Sequence, residues 1–131
     1  MTRLHIHVSV GDLDRSIVFY TQLFGEAPSV NKPDYAKWML DDPAVNFALS
    51  KGEDGALGVN HLGLQTDKAA ELDALHGRLS AAEIASLPEQ AANCCYAVSD
   101  KHWTKDPDGV IWEAFRTLDT IPVYGEDKVP V

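Results

Sequence analysis

The chain has 131 residues and a formal net charge of −9, from 11 basic and 20 acidic side chains. Its Lys and Arg residues are scattered, which argues against a nucleic-acid or anionic-membrane partner, and its longest apolar stretches are only strand-length, too short for a membrane span. With 45% hydrophobic residues it can bury the core of one domain without disulfide staples.

Met1 leads directly into Arg3–Val8, which reads as a strand and not as a signal peptide, so the expected location is cytoplasmic. In that strand Leu4, Ile6, Val8 and Val10 alternate with His5, His7 and Ser9, giving one apolar and one polar face. Asp12 is placed to cap a helix whose buried stripe is Leu13, Ile17, Tyr20 and Phe24, and Gly25 ends it. Three short strands follow near 27–31, 35–40 and 45–50, separated by turns at Lys32-Pro33-Asp34 and Asp41-Asp42-Pro43.

The plan then restarts. Residues 59–66 form a strand, and a helix capped by Asp67 buries Leu72, Leu75 and Leu79. Strands near 83–86, 95–99 and 110–116 complete this half, with Lys105-Asp106-Pro107-Asp108-Gly109 as the turn before the last. The fold predicted is α+β: tandem βαβββ repeats forming curved mixed sheets around a metal cleft. One domain is expected over 1–119, in halves of about 1–55 and 56–119, with 120–131 as a C-terminal tail.

The repeat gives three distant residues a reason to meet. His5 and His61 occupy corresponding places in the first strand of each half, and Glu113 lies on the final strand. Alignment of Asp42-Pro43 with Asp106-Pro107, allowing one gap, sets Ala48 opposite Glu113, so the first half offers no matching carboxylate. Two imidazoles and one carboxylate form a facial set that favours non-haem Fe(II), with Mn(II) and Zn(II) as alternatives. His7 shares the face of His5 and is a substitute or outer donor. His76 is expected to be solvated on its helix, and His102 to be a bystander. Tyr96, Trp103 and Phe47 are aromatic candidates for the cleft, although core packing is the commoner role for such residues.

Two motifs mark a resemblance. Val10-Gly11-Asp12-Leu13-Asp14-Arg15-Ser16 through Phe24-Gly25, and Asp106-Pro107-Asp108-Gly109 followed by Trp112-Glu113, resemble the opening and closing motifs of the glyoxalase/bleomycin-resistance/dioxygenase superfamily, the vicinal-oxygen-chelate proteins. Asp34-Tyr35-Ala36-Lys37, Asn60-His61-Leu62-Gly63, and Cys94-Cys95-Tyr96-Ala97-Val98 with Asp100-Lys101 are similar more narrowly to organoarsenical C–As lyases and cadmium-induced proteins. The resemblance implies that Cys94 and Cys95 hold a trivalent arsenical while His5, His61 and Glu113 hold Fe(II). Dioxygen then drives cleavage to arsenite, with Cys94, Cys95 and Glu113 as the catalytic residues. Some relatives carry Gln in place of His5, and pairing into a homodimer is compatible with the fold.

Adjacent cysteines cannot form a useful structural disulfide, and in a reducing compartment both are thiols. In a regular strand they would point to opposite faces, so joint binding of arsenic requires an irregular junction. Residues 89–93 are expected to supply it as a loop. Alternative readings are a glyoxalase-like enzyme of other substrate, a cadmium- or arsenic-sequestering protein without turnover, and a metal-free binder.

Overall fold

In a computed structural model the described residues are 2–52, 56–94 and 97–120, with the backbone alone described at 89–94, 97–98 and 118–120. The first half runs β1 (Arg3–Val10), α1 (Leu13–Phe24), β2 (Val30–Lys32), β3 (Tyr35–Asp41) and β4 (Ala44–Lys51). The second runs β5 (Gly58–Gln65), α2 (Ala69–Ala81), β6 (Leu87–Cys94), β7 (Ala97–Lys105) and β8 (Ile111–Thr120). All eight strands join in one mixed sheet of order β2-β3-β4-β1-β5-β8-β7-β6. The halves meet along the antiparallel β1–β5 pair, and each first strand lies parallel to the last strand of its own half.

Helix α1 forms where the sequence predicts it. Asp12 Oδ1 accepts from the Arg15 N–H at 3.1 Å, and Gly25 adopts a left-handed φ of 76° that lets its N–H reach Thr21 O. The helix lays Leu13, Ile17, Tyr20 and Phe24 onto a core of Trp38, Phe47, Leu40, Val45 and Leu49. A second core of Leu72, Leu75 and Ala114, with Leu64 and Leu79 against it, seats α2. Each fully buried side chain of this kind contributes roughly 1.5–3 kcal/mol of transfer free energy.

Because β1 alternates, packing Ile6, Val8 and Val10 beneath α1 turns His5, His7 and Ser9 to the face away from the helix. The same period on β3 sends Trp38 and Leu40 into the core and leaves Tyr35 and Lys37 on the histidine side.

The second half departs from expectation in four places. Residues 83–86 are not a strand, and the segment expected to be a loop at 89–93 lies within β6, with a register shift between Glu89 and Ala92. Backbone pairing with β7 overrides the polar, loop-like composition there. The cap of α2 is Lys68, not Asp67: Glu71 Oε1 reaches back to accept from the Lys68 N–H at 3.0 Å, so the first turn is held from inside the helix. Strand β8 continues to Thr120, four residues beyond its predicted end at 116. The remaining tail, 121–131, lies outside the described residues.

Candidate metal centre

His5, His7 and His61 are all buried and converge, their candidate ligand nitrogens lying within 4.8 Å of one another. They line a narrow cleft on the sheet face opposite the helices, together with Tyr35, Lys37, Asn46, Lys101, Glu113 and Phe115.

Two of the imidazoles are fixed in a telling way. His5 Nδ1 donates to the carbonyl oxygen of Asn46, its neighbour across the β1–β4 pair, at 3.1 Å. His61 Nδ1 donates to Asn60 Oδ1 at 2.7 Å. Asn60 can reach its sequence neighbour because the β1–β5 register slips there: His7 pairs with His61, but Val8 pairs with Val59. Asn60 is thus the extra residue of a bulge, which re-aims its side chain from the alternation of a regular strand.

Burial, with help from neighbouring charge, lowers the pKa of His5 to about 3 and that of His61 to about 2, so both rings are neutral. With each proton on Nδ1, the two Nε2 atoms present lone pairs to one another at 3.3 Å. No hydrogen bond can form between two acceptors, whereas a cation between them satisfies both. Outer groups that fix the tautomer in this way are the usual support of metal-binding histidines.

Glu113 Oε2 lies 3.6 Å from His61 Nε2 and 3.5 Å from the ammonium of Lys101, which is itself buried and sits 5.4 Å above the Trp103 ring. The residues present therefore suit a divalent ion: neutral imidazole nitrogens, one carboxylate, and hydrogen-bonded outer partners. Asn46 Oδ1 is buried without a hydrogen-bond partner among the described residues and offers an acceptor in the cleft wall.

The repeat can be checked in the registers. Ile6 pairs with Phe47 as Leu62 pairs with Trp112. One residue further on, Ala48 occupies the place that Glu113 occupies in the second half, as the alignment predicted.

A family model described as the glyoxalase/bleomycin resistance protein/dioxygenase superfamily matches residues 2–114. The chain belongs to that superfamily. A trivalent organoarsenical cleaving enzyme of Bacillus sp. (strain MD1) is 41% identical over 123 residues, covering 92% of this chain and 76% of that protein. The cadmium-induced protein CadI of Mycobacterium bovis is 31% identical over 125 residues, covering 95% and 82%. Among solved structures, the 2,3-dioxygenase LapB of Pseudomonas sp. KL28 superposes with a TM-score of 0.68 at 17% identity, over 95% of this chain and 44% of that one, a likeness of fold.

Within this superfamily fold, the residues singled out from the sequence fall into three groups. His5 and His61 come together with His7 as a cluster of three imidazoles, and Glu113, in the same cleft, approaches His61 at 3.6 Å. Cys94 closes β6, its backbone opposite Ala97, while Cys95 and Tyr96 lie outside the described residues. Other candidates move away from the cleft. Phe47 belongs to the core under α1, and His102 stacks on His76 at 4.0 Å, beyond the opposite face of β7. His76 is accordingly half-buried, paired with Ser86 Oγ and not solvated. Trp103 backs the site by meeting His61 edge-on at 5.2 Å.

Sequence reasoning overlooked Lys101 and Phe115 as cleft residues. Their signal was present: Ser99, Lys101 and Trp103 on β7, like Glu113 and Phe115 on β8, follow the strand period that places side chains on one face. No described helix is long and apolar enough to cross a membrane.

Proposed function

We propose that this protein is an Fe(II)- and O2-dependent C–As lyase that converts trivalent organoarsenicals to arsenite. The observation that carries the reading is the conjunction of 41% identity to a trivalent organoarsenical cleaving enzyme with two facing imidazole lone pairs and a carboxylate in one cleft. In this reading residues 1–119 form the working domain.

His5, His61 and Glu113 would hold the metal, with Mn(II) or Zn(II) as alternatives to iron. Fe(II) supplies the redox chemistry that dioxygen requires. Cys94 and Cys95 bind the soft, thiophilic arsenic as a two-sulfur chelate and orient its carbon substituent toward the ion. The outer hydrogen bonds of Asn46 and Asn60 fix the tautomer and aim of the ligating imidazoles, which burial keeps neutral. Trp103 and Phe115 limit access of water around them.

The test is anaerobic Fe(II) loading of the protein, addition of a trivalent methylarsenical and then air, with arsenic speciation by mass spectrometry. Arsenite formed only with both iron and O2, and absent in Cys94→Ser and His61→Ala, is the expected outcome. A protein that binds iron yet releases no arsenite refutes the lyase. Similarity to a cadmium-induced protein supports a second reading, sequestration of soft ions without turnover. Stoichiometric Cd(II) binding with no O2-dependent product distinguishes it.

A further inference from the structure

Comparison of the two halves at the centre shows an exchange of roles between paired residues. In the second half Gly63 on β5 stands beside Glu113 on β8; in the first, His7 on β1 stands beside Ala48 on β4. The repeat that equates His5 with His61, 56 residues apart, also equates His7 with Gly63 and Ala48 with Glu113. Each half therefore has one small residue and one residue bearing a metal-binding group, on opposite strands of the pair.

The small residue at 63 is required by space. A Cβ there would fall 2.5 Å from Glu113 O and 3.2 Å from His5 Cδ2. Ala48, fully buried, leaves the corresponding room in the first half to the His7 ring. That ring lies with its centroid 4.9 Å from that of His61 and 6.2 Å from that of His5, and its Nε2 is 2.7 Å from Ser50 Oγ. Ser50 thus holds one nitrogen of His7, as Asn46 and Asn60 each hold one nitrogen of the other two histidines.

We propose that His7 is a fourth protein ligand, its imidazole taking the place of the carboxylate that Ala48 lacks, so that each half contributes two donors to one metal ion. The inference rests on the metal reading of the proposed function and extends it from a three-residue facial set to a three-histidine, one-carboxylate set. With Ser50 accepting from Nε2–H, the ring ligates through Nδ1. A six-coordinate ion held by four protein groups keeps two positions for small ligands. Two suffice when the larger substrate is anchored by groups outside the metal.

The experiment uses Co(II) as probe on the full-length protein, measuring affinity by chelator competition, the visible d–d spectrum, and the number of imidazoles by X-ray absorption. Three imidazoles are expected in the wild type. His7→Ala is expected to lose more than about 100-fold in affinity, beyond the ~10–100-fold that removal of an outer partner costs, and to change its d–d spectrum. Added free imidazole should restore that spectrum. The double variant His7→Gly/Ala48→Glu, which transplants the second half's arrangement into the first, should regain tight binding with only two imidazoles. A His7→Ala protein with the wild-type spectrum and a loss of 100-fold or less overturns the proposal and leaves the three-residue site in place. A wild-type protein that binds no Co(II) or Fe(II) overturns the metal centre itself, and the two failures are thereby distinct.

Discussion

The two halves of the sheet share a backbone plan but support their histidines by different means. In the first half the Nδ1 proton of His5 goes to a backbone carbonyl, that of Asn46. In the second the Nδ1 proton of His61 goes to a side chain, that of Asn60, brought within reach by a bulge. A backbone acceptor survives almost any substitution, whereas a side-chain acceptor is lost with one. The halves differ too in charge. Ala48 leaves the first half neutral at the position where the second places Glu113 against Lys101. Equivalent positions in a repeat can thus carry the same chemical task with unequal exposure to mutation.

The largest effect is expected from breaking this charge asymmetry. Lys101→Met would leave Glu113 buried without its ammonium partner, and metal-free protein should lose about 3–5 kcal/mol of stability. Saturation with a divalent metal, which supplies the missing positive charge, should erase most of that loss in thermal unfolding. A deficit of the same size with and without metal would show that Lys101 acts by packing alone.

Next, Asn60→Ala should weaken metal binding by roughly 10–100-fold, because His61 loses the group that fixes its tautomer. Asn46→Ala keeps the carbonyl that serves His5 and loses the side-chain bond to Gln65, so its effect on affinity should be smaller. Equal losses measured by chelator competition would contradict the contrast drawn between the halves.

Space gives a third comparison. Gly63→Ala forces a Cβ against Glu113 O and should cost about 1–3 kcal/mol, read by denaturant unfolding, with a loss of metal affinity as Glu113 shifts. The reverse change at the equivalent of Glu113, Ala48→Gly, should cost only about 0.5–1 kcal/mol. The smallest effect belongs to the helix caps. Asp12→Ala should cost about 1 kcal/mol in thermal unfolding, whereas Asp67→Ala, which removes no cap of α2, should cost less.

Much of this is legible in the amino-acid sequence. The alternation of Leu4, Ile6 and Val8 with His5 and His7, the Asp12 and Gly25 boundaries of α1, and the equivalence of Ala48 with Glu113 all follow from local pattern and repeat spacing. The limits are equally physical. Glu89-Gln90-Ala91-Ala92-Asn93 carries no apolar alternation, and only its pairing with β7 makes it a strand. The bulge at Asn60 has no signature in composition, so the support of His61 stays hidden at that level. Lys101 looks like an ordinary surface cation because a single charged residue does not reveal its carboxylate partner. His76 and His102 stack across α2 and β7, a contact between elements that neither local sequence announces.

The bulge has a consequence for how the protein can change over time. Removing Asn60 would let β5 run in regular register with β1, improving the backbone ladder. The same deletion would leave His61 without its acceptor and would turn the residues before it to the other face. Selection for a sturdier sheet and selection for a working cleft therefore pull in opposite directions at this one position. The irregular strand is the form in which usefulness has been kept at the expense of order.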